Sequence, residues 1–406
     1  MRISTGMIFD ASTRGMLKNQ AELLRTQQQM SSGRRMLAAS DDPVAASQAL
    51  AVRTDEALSG QHAANQAAVR GGLEVAENML GAVGDLLTNA RTLIVAAGGG
   101  VLGSADRQSI AAELRGLYAE LLGMANARDG QGRYLFAGYQ DGSQPFTQTA
   151  AGVVYNGDQG NRALAVTNSR QIAVSDNGHS IFELGRGGNG VFKTALANSN
   201  AGTAAVSVGG VYDATLLTGH SYRVVFNVAA GTAATYDVLD VTASTTLSSG
   251  NAYTSGAAIR FDGIDISAEG APANGDRIDL TPSTSQSLFK TLSDAINALS
   301  AQTGAPSPSA EALRRTNIGI ALAELDSGSE RALAVRAEFG SRLRELDDLG
   351  PLGESERLLL AGQRAKLEDV DYARAASDFE RQQLALEAAQ KTYVRMTALS
   401  LFNLIG

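Results

Sequence analysis

Apolar side chains recur at coiled-coil spacing toward both ends of this chain, and the period falls to two only in its middle. Leu73, Leu80, Leu87 and Ile94 stand seven apart, with Ala76, Val83, Ala90 and Ala97 in the companion positions. Spacing of this kind keeps one side of a helix apolar and predicts a partner helix along it. Ile318, Leu325, Ala332, Phe339 and Leu346 repeat it across 310–348. Further on, Tyr372, Phe379, Leu386, Ala389, Tyr393 and Met396 follow steps of seven, seven, three, four and three. Leu384, Ala388, Val394, Ala398, Leu401 and Ile405 form a second row beside them. Two seams require more than one partner helix. The chain is expected to enter this helix after Gly350-Pro351. A proline-free run from Glu354 to Gly406 would then be a rod on the order of 80 Å long.

Other helices follow from local signals. Residues 10–37 carry Met16, Leu17, Leu23, Leu24 and Met30 among polar neighbours, with Gly33 as a stop. Asp41-Asp42-Pro43 starts the next helix. Asp42 serves as N-cap, and Pro43 sits at the first helical position, where its missing amide costs nothing. That helix should run to about Ala97. After Gly98-Gly99-Gly100, the spacing of Ile110, Leu114, Leu117, Leu121 and Met124 predicts a helix over 106–126 folding back as an antiparallel arm. Leu288, Leu292, Ile296 and Leu299 share one face of a shorter helix from Ser287, and Ala305 to Ser309 reads as a turn.

From Gly132 the alternation predicts strands at Arg133–Gly138, Val153–Tyr155, Ala163–Val166 and Gln171–Val174, with Asn156-Gly157-Asp158 as a hairpin turn. A second block, Val191 to Leu280, holds Tyr222–Val228, Thr235–Val238, Ala258–Phe261 and Arg277–Leu280. The fold class is therefore α+β: long coiled-coil helices from both chain ends packed together, with an inserted β-rich central region. The expected division is 1–40 with 370–406 as a terminal coiled-coil domain, and 41–132 with 286–369 as a helical rod. Residues 133–185 form a short β-hairpin region on that rod, and 186–285 an outer β-rich domain.

Composition narrows the function. Cysteine is absent, which removes disulfides and thiolate metal sites. A net charge of -8 argues against a nucleic-acid partner. The opening Met1 to Asp10 lacks the apolar core of a cleaved secretory signal, and no apolar run approaches the length expected of a membrane span, so no membrane insertion is expected. Candidate chemistry is thin. Gly185-Arg186-Gly187-Gly188-Asn189-Gly190 matches G-x-G-x-x-G without a βαβ unit and reads as a loop. His62, His179 and His220 have no second ligand at helical spacing. Asp262 with Asp265, and Asp276 with Asp279, read as solvated loop acids rather than an acid–base pair. The chain is expected to be no enzyme, with no catalytic, cofactor-binding or metal residues. The residues expected to matter are the assembly seam (Leu73, Leu80, Leu87, Ile94, Leu325, Phe339, Leu346, Tyr372, Phe379, Leu386, Tyr393, Met396, Leu401 and Ile405) and the helix-start motif Asp41, Asp42 and Pro43.

The wording of the rods carries a resemblance. Leu17-Lys18-Asn19-Gln20-Ala21-Glu22-Leu23-Leu24, Gln27 to Arg35 and Ser40-Asp41-Asp42-Pro43-Val44-Ala45-Ala46 resemble the N-terminal signature of the flagellin-like family. Met1 to Thr5, Leu367 to Ala373 and Ser400-Leu401-Phe402-Asn403 point to its hook–filament junction branch; Ala39 stands where the family often has proline. The likeness spans about the first 140 and the last 120 residues. It implies a structural subunit of the bacterial flagellum, exported unfolded by the flagellar type III system to the extracellular axial structure. Implied partners are further copies in a ring, the first hook-associated protein, flagellin, and an export chaperone on the C-terminal helix. The end rods would order only on assembly, since helices with open seams are marginal alone. Alternatives are flagellin itself, an adhesin using 186–285, an intramolecular bundle without an assembly role, and a hydrolase in the insertion.

Overall fold

The computed structural model describes residues 5–99, 102–300 and 307–405, with side chains at 7, 9–99, 102–300 and 307–396. The described residues form six α-helices: α1 (Thr5–Ser32), α2 (Pro43–Gly98), α3 (Ser104–Ala125), α4 (Leu288–Ser300), α5 (Pro308–Glu368) and α6 (Tyr372–Ile405). The chain divides into two compact units, residues 1–64 with 348–406 and residues 65–347.

In the unit of residues 65–347, α2 and α5 run antiparallel along their seams. Leu73, Leu80, Leu87 and Ile94 are buried, with Ala76, Val83, Ala90 and Ala97, and so are Ile318, Leu325, Ala332, Phe339 and Leu346. Burying each large side chain contributes about 1.5–3 kcal/mol toward offsetting the ordering of the rod. Ion pairs flank the seam in one register: Arg70 to Asp347 at 2.6 Å, Glu77 to Arg336 at 2.6 Å and Arg91 to Asp326 at 2.7 Å. Arg314 donates from Nη1 to the Ala97 carbonyl at 3.4 Å, setting a cation at the C-terminus of α2. The helix α3 finds its antiparallel partner in α4, where Arg115 donates to Ser300 Oγ at 2.8 Å and Tyr118 meets Phe289 edge-on.

Four short strands follow α3: β1 (Phe146–Thr149), β2 (Gly152–Tyr155), β3 (Ala163–Ala165) and β4 (Gln171–Ala173). They pair as β1–β2 and β3–β4, so Asn156-Gly157-Asp158 is not a hairpin turn. Asp158 instead accepts the Tyr139 and Gly160 amides on its carboxylate, 2.7–3.1 Å away, and folds the segment into a loop. Residues 133–138 are likewise turns, with a lone bridge between Arg128 and Tyr134; Leu135, Phe136 and Ala137 are buried in succession rather than alternately, and the Phe136 ring enters an aromatic cluster. Phe136, Phe146, Phe182 and Phe289 make that cluster, with ring centroids 5.4–6.1 Å apart.

The outer β region comprises β5 (Gly185–Arg186), β6 (Phe192–Leu196), β7 (Ala205–Val206), β8 (Gly210–Val211), β9 (Tyr222–Asn227), β10 (Thr235–Asp240), β11 (Thr245–Ala252), β12 (Ala258–Phe261), β13 (Ile264–Glu269), β14 (Arg277–Pro282) and β15 (Ser285–Gln286). One sheet has the order β11-β10-β9-β14-β6 and the other β12-β13-β7, with β8 also on β13. Alternate residues, among them Tyr222, Val224, Phe226, Ile259, Ile266 and Ile278, fill one core. This region is fastened to α5 by a buried carboxylate. Glu324 Oε1 accepts from Lys193 Nζ at 2.7 Å and Gly188 N at 3.2 Å, and its Oε2 accepts from Gln286 and Thr291. The glycine-rich run 185–190 is thus a strand and a tight loop against a rod helix; Gly188, at φ +61°, takes a conformation that favours glycine.

In the other unit, two expectations about the terminal rod are corrected. The helix does not begin after Gly350-Pro351, because α5 passes through Pro351. Leu346 and Leu360, two heptads apart, are buried on either side of the proline, and the helix continues between them although 347–359 are exposed or half-exposed. Nor is Glu354–Gly406 one helix: it breaks at Asp369–Asp371. Asp371 caps α6, accepting the Ala373 and Arg374 amides on Oδ1 at 3.1 Å each.

Candidate assembly surface

Within the unit of residues 1–64 and 348–406, α1 and α6 lie antiparallel, with Phe9 edge-on to Tyr393 at 5.9 Å and Thr26 Oγ1 donating to Gln382 Oε1 at 2.9 Å. The side of α1 that is shielded runs Phe9, Met16, Leu23 and Met30 in sevens, with Ser12, Asn19 and Thr26 between them. Three of those seven residues are polar, so the seam fixes register more than it stabilises. On α6 the first predicted row, Phe379, Leu386, Ala389, Tyr393 and Met396, is half-buried, while Tyr372 stands exposed. The second row faces solvent: Leu384 is 70% exposed and Val394 63%. Met7, Leu17 and Leu24 on α1 are exposed as well. The side chains of Ala398, Leu401 and Ile405 lie outside the described residues.

Below that pair the two strands of the rod are stitched at one level. Arg35 N donates to the Glu368 carbonyl at 2.7 Å and Val370 N to the Gly33 carbonyl at 3.0 Å, so the gap between α1 and α2 sits beside the gap between α5 and α6. Gly33 has φ +68°, which permits the reversal. The helix-start motif organises the other side. Asp42 Oδ1 accepts from Ala45 N at 3.0 Å as N-cap of α2. Asp41 Oδ2 accepts from Leu37 N and Ala38 N at 3.0 and 3.1 Å, and those amides with Arg25 hold its carboxyl below the usual range. Arg53 lies 2.7 Å from Glu368, and that bond, with Arg34 and Arg364 nearby, lowers the Glu368 pKa. The sequence reading missed Glu368 and Asp371. The Asp-Val-Asp spacing ahead of Tyr372 was the available signal for the cap.

The remaining candidate groups are structural. His179 pairs with Glu183 and His220 with Asp240, each through Nδ1 at 2.6 Å. Asp262 accepts the buried Tyr222 hydroxyl at 2.8 Å, and burial pushes that phenol up to about 12. Asp265 pairs with Arg260, and Asp279 with Arg223. Asp276 is not a solvated loop acid: it is buried and accepts the Ala201, Gly202 and Ala273 amides, closing the 197–202 turn. No group of acidic and histidine side chains suited to a metal occurs among the described residues. The expectation about membrane-length runs also needs correction. A window of α2 is long and apolar enough to cross a bilayer by length and composition, and 33% of it is buried.

Two chain ends that pair with each other, leave a second apolar row open and carry a β-rich insertion between them define an axial subunit of the flagellin type. Residues 3–141 match the bacterial flagellin N-terminal helical region. The whole chain is 29% identical to flagellar hook-associated protein 3 of Salmonella typhimurium, covering 99% of it. Among solved structures, the hook-associated protein 3 of Legionella pneumophila superposes with a TM-score of 0.74 at 28% identity, over 78% of this chain and 98% of that one. FlgL of Xanthomonas campestris does so at 0.68 and 30% identity, over 75% and 98%. The chain belongs to the flagellar hook-associated protein 3 family.

Proposed function

We propose that this chain is the junction subunit of a bacterial flagellum, joining the hook to the flagellin filament by polymerising through its terminal helices. The observation that carries this reading is the uncovered row on α6. Leu384 and Val394 stand in water beside a seam already occupied by α1. A lone chain leaves that apolar surface open, and neighbouring copies cover it. In this reading residues 1–40 and 370–406 order fully only on assembly, and 186–285 projects outward. The first hook-associated protein is the partner on the hook side and flagellin on the filament side. A chaperone covers the C-terminal helix before type III export to the cell exterior. The chain performs no catalysis.

Deleting the gene tests this. The expected result is bacteria with hooks but no attached filament, shedding flagellin monomer into the medium. Full filaments on such cells would refute the junction role, and loss of all filament protein from cells and medium alike would mark the chain as flagellin.

A further inference from the structure

A second open surface lies beside the stitched level of the same unit. A pocket of about 300 Å³ is walled by the turn after α1 and the first turns of α2, with Leu37, Ala46, Ala49 and Leu50 as its apolar lining and Arg34, Arg53 and Glu368 at its rim. Leu37 and Leu50 are exposed. The guanidinium of Arg34 is exposed and has no carboxylate within ion-pair distance among the described residues. Glu368 spends Oε2 on Arg53, and its Oε1 is buried without a partner, so one acceptor in the wall remains unfilled. A leucine side chain fits the volume, and the rim asks for negative charge together with one donor.

The same unit carries the complementary element. Along α5, residues 354–359 are all exposed, and Leu352, Leu358 and Leu359 are 66%, 71% and 62% exposed. Three exposed leucines within two helical turns have no role in the core of the lone chain. They are set among Asp348, Glu354 and Glu356, with Arg357 as an exposed donor. Apolar side chains, acidic flanks and one guanidinium answer an apolar pocket, a cationic rim and one orphan acceptor.

We propose that the pocket at Leu37–Leu50 receives the leucine turn Leu352–Leu359 of α5 from a second copy of this chain. The proposal rests on the reading of the chain as a polymerising subunit and adds a contact outside the α1–α6 tails. Pocket and turn are different surfaces, so the contact is heterologous: each copy offers one and uses the other. That geometry propagates around a ring or along a helix instead of stopping at a dimer. One chain cannot make the contact with itself. Arg53 opposite Glu368 and Glu56 opposite Arg364 set the register of α2 on α5. Leu50 therefore lies at the level of residue 370, ~16 Å along the helix axis from Leu359.

Because the native chain lacks cysteine, disulfide capture gives a clean test. Bacteria carry the full-length double variant Leu50→Cys with Leu359→Cys in place of the native chain, and isolated flagella are oxidised. A disulfide needs Cα atoms within about 7 Å, so the expected product is a covalent dimer and higher ladder, absent from either single variant. In the cysteine-free chain, Arg34→Glu should cut incorporation into flagella at least tenfold, and Glu354→Lys with Glu356→Lys should restore it. Incorporated double variant that yields no covalent dimer, or Arg34→Glu incorporated at the native level, would overturn the proposal and leave the junction reading intact. Absence of the native chain from isolated flagella would refute the junction reading itself.

Discussion

Truncating Phe339 and truncating Leu384 should separate the two kinds of seam. Phe339 is fully buried between α5 and α2, in a register where Leu346 and Ala332 are also closed off. Phe339→Ala removes a ring from a site whose neighbours sit on rigid helices and cannot collapse into the space. The expected cost is about 3–5 kcal/mol, a large part of the ~5–15 kcal/mol that holds an ordinary domain together. A loss of about 4 kcal/mol is nearly three orders of magnitude in the folded-to-unfolded ratio. Leu384 sits on a helix of equal regularity but is 70% exposed. Leu384→Ala removes almost no buried contact, and alanine is the better helix former. Its effect on the isolated chain should stay within about 0.5 kcal/mol. Urea unfolding of the purified monomer, followed by circular dichroism and by hydrogen exchange at 318–346, measures both. The Phe339 variant should lower the midpoint and expose 318–346. The Leu384 variant should unfold like the native chain yet fail to enter flagella. A Leu384 variant that is destabilised by more than about 1 kcal/mol would mean the second row is already covered in the lone molecule, and the assembly reading would lose its support.

Further predictions concern the helix breaks. Asp371→Ala removes the acceptor for the Ala373 and Arg374 amides and should cost about 1 kcal/mol, read as faster hydrogen exchange over the first turn of α6 with 318–346 unchanged; Asp371→Asn should recover most of it. The stitched level should also be acid-labile. Arg53 depresses the Glu368 pKa below its ordinary 4.5, so the native state binds fewer protons than the unfolded one. This stabilisation is present in full above pH 4.5 and is lost as the pH falls through the lower folded value. Exchange at 366–372 should accelerate below that point, and Glu368→Gln should weaken that pH dependence, while 33–42 keeps the acid response of Asp41.

Side-chain periodicity alone settled a good deal of this molecule. The sevens at Leu73 to Ile94 and at Ile318 to Leu346 announce buried stripes, and those residues are buried. Asp42-Pro43 announces a helix start, and α2 begins there. These features are legible because burial on one face of a helix repeats with the helix itself, and a cap acts on amides three residues away. The motif wording of the two ends likewise led to the family to which the chain belongs.

What periodicity could not settle was decided by pairing across the chain. Pro351 and Gly350 look like a stop in isolation, but α5 runs through them to Glu368, with Leu346 and Leu360 buried on either side. Asp369–Asp371 offers only a cap signal inside a long helical pattern, and the break there is met by the Gly33 and Arg35 contacts from residues more than three hundred positions earlier. Asn156-Gly157-Asp158 had every local mark of a hairpin, and the strands on either side chose other partners. The acceptor left on Glu368 and the pocket beside it exist only because the turn after α1 meets α2 and the end of α5 there. Local rules fix what each segment prefers; which preference survives depends on the neighbour that buries it, and no window of sequence contains that neighbour.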